Sequence, residues 1–294
     1  MIFLWCIIMS IEVIRDLSGL HSSIARHRNG PLNNAASLAI VPTMGAIHEA
    51  HEALVVEAKK NANIVLATIF VNPMQFGENE DLDKYPRSEL EDIKRLEEKG
   101  CDIVYIPENK TIYPDGFDLT INVPKLSSVL CGKERKNHFK GVATVVAKLL
   151  LQSGADYAIF GEKDYQQLLI IRSLVKSLFL PIEIIGLPTV REKSGLAMSS
   201  RNNYLSQSDR QRAPMLHECI KTTIKSIKNG VIDYVYLEKE AKFFLEKAGF
   251  KIDYYSICDL DTLRAPINEN LVILAAVWLG KTRLIDNARV HTYD

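Results

Sequence analysis

Two histidines in one short segment are the first residues of this 294-residue chain that could do chemistry. Pro42–His51 reads PTMGAIHEAH and follows a short apolar run, the pattern of a strand turning into a helix. Gly45 allows the turn to be tight. His48 and His51 stand at i and i+3 on the first turn of the helix, so their side chains share one face. A helix N-terminus adds partial positive charge and free N–H donors, which together suit a phosphate. Two surface histidines on an ordinary helix would look the same from this segment alone. A zinc site fits less well, because H-E-x-x-H needs i,i+4 spacing and the second histidine arrives one residue early.

Other segments carry polar groups of a kind that binds anions or small polar molecules. Phe70–Arg87 (FVNPMQFGENEDLDKYPR) offers Asn72 and Gln75 after an apolar run, and His138–Val146 (HFKGVATVV) opens on a histidine. Phe160–Gln167 (FGEKDYQQ) offers Lys163, a flexible point charge that can follow charge as it develops. Val190–Asn202 (VREKSGLAMSSRN) offers the hydroxyls of Ser199 and Ser200 and the guanidinium of Arg201, able to wrap a polyphosphate with charge-assisted bonds. Taken singly, each is also what a surface turn or a flexible linker contains.

The elements that must position these groups follow from hydrophobic pattern. Strand signals at Ser37–Thr43, Ile64–Val71, Asp102–Ile106, Asp156–Phe160 and Ile182–Leu187 alternate with helix signals at Glu49–Lys60, Ser88–Lys99, Gly141–Gln152 and Tyr165–Leu178. Ile64–Val71 is β-branched and apolar on both faces, as a buried parallel strand is. Such alternation predicts crossover connections and an α/β parallel sheet covered by helices on both faces. Ligands then bind beyond the carboxyl ends of the strands. After Val190 the pattern changes. Ser206 with Asp209 resembles a capping box opening one long helix through Ile227, a second helix covers about Tyr236–Lys247, and Lys251–Asp259 and Leu271–Leu279 read as strands of a separate sheet. The expected division is an α/β domain over residues 1–187 and a smaller α+β domain over 188–294. Neither glycine-rich phosphate loop, G-x-x-x-x-G-K-[ST] or G-x-G-x-x-G, is present.

Composition bounds the function. Lys+Arg and Asp+Glu both total 36, so the formal charge is zero, which argues against a nucleic-acid partner. The basic stretch Lys133–Lys136 is short and interrupted by Glu134, so it reads as a solvated loop. Five scattered cysteines with no C-x-x-C pair fit a reduced compartment and a cytoplasmic protein. Met1–Ile8 (MIFLWCII) is apolar but too short to span a bilayer and lacks a basic flank, so no membrane anchor is expected and a start-site extension accounts for it.

The five polar segments, in this order, resemble the pantothenate synthetase family of the HIGH-type nucleotidyltransferases. PTMGAIHEAH is similar to that family's PTMGALHEGH, Phe70–Arg87 to its FVNPxQF…DLxxYPR loop, His138–Val146 to HFxGVxTVV, and Val190–Asn202 to its variant of the KMSKS loop. FGEKDYQQ matches without a change, and LGKTRLIDN (Leu279–Asn287) fits the family's ending. One residue departs: Ala50 stands where the family has a glycine close to the nucleotide.

The resemblance implies a Rossmann-like domain with a smaller C-terminal domain, a homodimer, and a ligase that joins pantoate to β-alanine through an adenylate made from ATP with Mg²⁺. It implies ATP contacts from Met44, Gly45, Ala46, Ile47, His48, Glu49, Ala50 and His51. Further ATP contacts would come from Gly161, Glu162, Lys163 and Asp164, and from Val190, Met198, Ser199, Ser200 and Arg201. His48, His51, Lys163 and Arg201 would serve catalysis, with His48 as proton donor. Gln75 and Gln167 would bind pantoate, and Gln75, Asn72 and His138 would meet β-alanine. Glu91 and Asp92 occupy positions where the family can hold magnesium, although bare they read as a solvated helix face. Another HIGH-class adenylyltransferase would share the histidines but not NPMQF and GEKDYQQ together, and an ATP-binding protein without activity, which Ala50 could signal, is disfavoured because every charged catalytic position is intact.

Overall fold

The computed structural model describes residues 11–29, 36–78, 80 and 82–290. The apolar segment Met1–Ile8 lies outside the described residues. In chain order the elements are β1 (Glu12–Ile14), α1 (Leu17–Arg28), β2 (Leu38–Thr43), α2 (Glu49–Asn61), β3 (Ile64–Ile69), α3 (Glu89–Glu98) and β4 (Ile103–Tyr105). Three short helices, α4 (Asn109–Ile112), α5 (Pro124–Ser127) and α6 (Cys131–Glu134), lead to α7 (His138–Ser153), followed by β5 (Tyr157–Gly161), α8 (Tyr165–Ser177) and β6 (Glu183–Leu187). The C-terminal part holds α9 (Gln207–Arg212), α10 (Met215–Lys228), α11 (Tyr234–Lys247), β7 (Lys251–Asp259), β8 (Leu271–Leu279) and β9 (Thr282–Val290).

The first six strands form one parallel sheet in the order β1-β4-β3-β2-β5-β6. Alternate side chains of a strand point to opposite faces, and β2 shows why both faces are apolar. Leu38 and Ile40 pack with α1, α7 and α8, whereas Ala39 and Val41 pack with α2 and α3. From β2 the chain proceeds to one side of the sheet (β3, β4), and from β5 to the other (β6). The switch between β2 and β5 opens a crevice at the carboxyl ends of the strands, where α/β sheets bind ligands.

The C-terminal sheet is antiparallel, β7-β8-β9, and α10 and α11 cover one face of it. Cys258, Val272 and Leu274 of that sheet meet Tyr165 and Leu169 of α8, so the two sheets are joined by apolar packing through α8. The fold is therefore a Rossmann-like α/β domain with a smaller α+β domain, as the sequence pattern implies.

Three elements depart from expectation. The single helix expected from Ser206 through Ile227 is two, α9 and α10, with Pro214 between them. Proline has no N–H to donate and its ring clashes with the carbonyl four residues back, so the helix cannot run through. Ser206 does cap α9, its Oγ accepting from Asp209 N–H at 3.1 Å. The edge strand β1 and the strand β9 carry no clear signal in the sequence, yet both pair in full register. No helix among the described residues is long and apolar enough to cross a membrane.

Candidate active site

The turn from β2 into α2 is fixed from several sides. Thr43 Oγ1 donates to Thr68 O at 2.6 Å and accepts from Gly45 N–H at 3.1 Å, which pins the strand end. Gly45 has φ +80° and Ala46 φ +52°. A Cβ on Gly45 would lie 2.9 Å from Asp92 Oδ2 and 3.1 Å from Ile69, so both its angle and the space require glycine. His48 then caps α2, its Nδ1 accepting from Ala50 N–H at 3.3 Å. That bond places the proton of the neutral ring on Nε2. The rings of His48 and His51 are stacked at a tilt, centroids 4.2 Å apart. Burial lowers the pKa of His48, and the Lys163 charge lowers it further. His51 is lowered to about 3 by burial, with His48 and Lys163 adding to the effect. Both rings are thus neutral donors at physiological pH, and the buried Nδ1 of His51 has no hydrogen-bond partner among the described residues.

The facing wall is built around Gln75. The chain leaves β3 into a 3-10 turn, Pro73–Gln75, capped by Asn72. Asn72 Oδ1 accepts from Met74 N–H at 3.2 Å and from the Tyr113 hydroxyl at 2.7 Å. Its Nδ2 donates to Gly141 O at 3.2 Å and to Gln75 Oε1 at 3.1 Å. Gly141 lets α7 come this close, since a Cβ there would lie 2.3 Å from Met74 O. His138 Nδ1 donates to Gln75 O at 2.8 Å, and its Nε2 accepts from Arg135 Nη1 at 3.0 Å, the only sense possible because arginine is donor-only. Burial, then the Arg135 charge, lowers the His138 pKa to about 4. Arg135 itself is paired with Glu80 through two bonds of 2.7 and 2.5 Å.

The third side comes from the ends of β5 and β6. Lys163 follows β5 with its ammonium 3.6 Å from Asp164. Asn287 of β9 donates through Nδ2 to the carbonyls of Glu162 and Lys163, at 2.9 and 2.8 Å, so the C-terminal sheet holds the turn that carries Lys163. Beyond β6, Arg191 and Ala197 pair as a small hairpin. Arg191 is anchored by a two-bond contact to Asp286 of β9, at 2.7 and 2.8 Å. The hairpin delivers Met198–Arg201, where Ser199 Oγ accepts from Arg201 N–H at 3.3 Å and the Arg201 guanidinium lies 5.9 Å from the Tyr85 ring centroid.

These walls enclose a cavity of about 230 Å³ that opens toward a larger one of about 840 Å³ beside the C-terminal sheet. Met44, His48, Ala50, His51, Asn72 and Gln75 line the first, as do His138, Gly161, Lys163, Asp164, Gln167, Val190 and Met198–Arg201. Gly45, Ala46 and Ile47 shape the turn without lining it, Glu49 is exposed, and Glu162 pairs with Arg289.

Two expectations need correction. Glu91 and Asp92 do not form a metal pair at the cavity. Asp92 is 2% exposed and accepts from the N–H groups of Ala46 and Ile47 at 2.9 and 2.8 Å, while Glu91 pairs with Arg95 at 3.0 Å. No group of three potential metal ligands occurs among the described residues. Asn72 and His138 line the cavity, but their polar atoms are committed to Gln75, Arg135 and neighbouring backbone. They orient Gln75 rather than offering free groups. Tyr113, Gly141, Asp286 and Asn287 are supports the sequence reading missed. Of these, Asp286 and Asn287 lie in the LGKTRLIDN segment and Gly141 in HFKGVATVV, but nothing in those segments pointed to the partners they hold.

Known proteins resemble this chain along nearly its whole length. The profile of the pantoate-beta-alanine ligase family matches residues 12–289. The pantothenate synthetase of Pseudomonas savastanoi pv. phaseolicola is 47% identical over 94% of this chain and 98% of its own length. That of Pseudomonas aeruginosa strain UCBPP-PA14 is 45% identical over 96% and 99%. Among solved structures, pantothenate synthetase from Thermus thermophilus superposes with a TM-score of 0.89 at 36% identity, covering 96% of this chain and 100% of that one. Pantoate-beta-alanine ligase from Francisella tularensis, complexed with beta-gamma ATP and beta-alanine, gives 0.80 at 34% identity, covering 95% and 97%. With a family profile spanning both domains and relatives this similar along nearly their whole length, the chain belongs to the pantoate–β-alanine ligase family.

Proposed function

We propose that this chain is an ATP-dependent ligase that condenses (R)-pantoate with β-alanine to give pantothenate, through a pantoyl adenylate, with release of AMP and pyrophosphate. The observation that carries the reading is one cavity with two chemistries. Neutral His48 and His51 at the α2 N-terminus line it together with Lys163, a set suited to a triphosphate, and so do Gln75 and Gln167, whose amides suit a hydroxylated acid.

The pantoate carboxylate is already ionised at pH 7, since such groups have a pKa of about 4, so the first step needs no general base. It attacks the α-phosphorus, the bond from that phosphorus to the bridging oxygen breaks, and pyrophosphate leaves. The demand on the protein is in-line positioning and stabilisation of phosphate charge. Lys163, Arg201 and the hydroxyls of Ser199 and Ser200 supply it, together with the Nε2–H of His48. In the second step the free amine of β-alanine attacks the acyl carbon and AMP departs with the C–O bond electrons. The attacking nitrogen loses its extra proton to the departing AMP phosphate, and neutral His48 hydrogen-bonds that phosphate through Nε2–H without giving up its own proton. Gln75 is offered to both small substrates, with Asn72 and His138 fixing its orientation.

Magnesium would accompany ATP, held by the triphosphate oxygens and water as that ion prefers. Glu91 and Asp92 do not fit as its protein ligands, since Asp92 is taken by the backbone of residues 46 and 47 and Glu91 by Arg95. We assign residues 1–187 to the nucleotide and pantoate domain and 188–294 to a lid, and expect a cytoplasmic homodimer. Measuring AMP released with ATP, pantoate and β-alanine tests the function. Formation of AMP that depends on both small substrates supports it, and turnover with a nucleotide monophosphate or an amino acid in place of pantoate contradicts it.

A further inference from the structure

Asp92 stands in the first turn of α3, behind the catalytic turn and away from the cavity wall. Oδ2 accepts from Ala46 N–H at 2.9 Å, and Oδ1 accepts from Ile47 N–H at 2.8 Å and from the Ser88 hydroxyl at 3.2 Å. Its grip falls on an unfavourable piece of backbone. Gly45 takes φ +80° freely, but Ala46 at φ +52° is a non-glycine residue in the left-handed region, which persists only where the surroundings over-determine it. The missing Cβ of Gly45 is what lets Oδ2 approach. His48, the cap of α2 and part of the cavity wall, follows two residues after Ala46. Two N–H donors converging on a buried side chain require an acceptor on both atoms. A carboxylate provides that, and an amide cannot.

We propose that Asp92 is a positioning residue for the nucleotide. It locks residues 45–47 in the left-handed turn that aims His48 and the α2 N–H groups at the triphosphate, and so sets ATP affinity and the rate of adenylation without touching substrate. The inference rests on the functional reading only in taking this cavity as an ATP site.

The test is direct titration of ATP onto Asp92→Asn and onto the milder Ser88→Ala, without any acid present. It is accompanied by steady-state kinetics over a range of Mg²⁺ concentrations. Asp92→Asn should weaken ATP binding at least about tenfold and lower kcat by as much or more, since misplacement of about 1 Å costs on the order of a hundredfold in rate. Ser88→Ala should weaken ATP about two- to threefold, on the scale of one neutral hydrogen bond. The pantoate KM and the Mg²⁺ concentration at half-maximal rate should stay put. ATP affinity in folded Asp92→Asn equal to wild type overturns the proposal, as does a loss that excess Mg²⁺ restores, which would make Asp92 a metal ligand. Should Asp92→Asn not fold, unchanged ATP affinity in Ser88→Ala overturns it. Wild-type protein that binds ATP but does not activate pantoate would refute the functional reading and leave this one standing.

Discussion

Acidification from pH 8 to pH 5 should destabilise the folded chain before its carboxylates titrate. Burial holds His51 and His138 neutral, with pKa values lowered to about 3 and about 4, helped by His48 and Lys163 beside the first and Arg135 beside the second. In the unfolded chain both return to about 6.5. Between the folded and unfolded values the unfolded chain binds more protons, so stability falls as pH drops below about 6.5 and is fully present above it. At pH 5 the loss is roughly 2 kcal/mol per histidine, or about 4 kcal/mol for the pair. That is a large part of the roughly 5–15 kcal/mol by which folded domains exceed their unfolded chains. With a urea slope of about 2–3 kcal/mol per molar, the midpoint should move down by roughly 1.5 M. Urea unfolding followed by circular dichroism at pH 8, 6.5 and 5 measures it. His138→Gln, which keeps a donor for Gln75 O, should abolish about half of the pH effect. Equal midpoints at pH 5 and pH 8 would refute the claim that these rings are buried and neutral.

Other perturbations probe the site itself. His48→Ala and Lys163→Ala should each lower the adenylation rate at least about a hundredfold, the usual scale for one preorganised donor. Unfolding midpoints close to wild type would confirm that the loss is chemical. Ala50→Gly should lower the KM for ATP with kcat unchanged, the mark of uniform binding, and an unchanged KM would mean the cavity has adapted to the methyl. Gly141→Ala should displace the Asn72–Gln75 turn, because its Cβ would meet Met74 O at 2.3 Å. The expected readout is a raised pantoate KM, and wild-type kinetics would contradict it. Asn287→Ala removes two bonds to the Lys163 turn and should slow adenylation while leaving pantoate affinity alone, as stopped-flow pyrophosphate release would show.

The parallel sheet was legible because β2 and β3 are apolar on both faces, and the phosphate wall because His48 and His51 lie one helical turn apart. What was not legible depends on partners distant in sequence. The strand β9 mixes charged and apolar residues and becomes a strand because β8 offers a complementary edge. β1 has only three residues, and pairing with β4 defines it. The break between α9 and α10 was written in Pro214, which the capping signal at Ser206 and Asp209 led the reading to pass over. Asp92 shows the limit most clearly. As an acidic residue on an amphipathic helix it reads as a ligand or a solvated charge, and only the fold brings the N–H groups of Ala46 and Ile47 onto it. Asn72 likewise reads as a substrate contact until Tyr113, Gly141 and Gln75 are seen to take its amide.

The central claim is that the cavity activates pantoate as an adenylate, with Gln75 and Gln167 recognising its hydroxyl groups. Exchange of labelled pyrophosphate into ATP with pantoate present and β-alanine absent tests it most directly. A buried amide left without its partner costs roughly 1–3 kcal/mol, so a deoxy analogue of pantoate should support exchange poorly. Gln75→Ala should narrow the gap between the two acids. Rapid exchange with pantoate alone is the expected result. Exchange that needs β-alanine would contradict a free adenylate, and exchange supported by an amino acid or a nucleotide monophosphate but not by pantoate would contradict the assignment of this site.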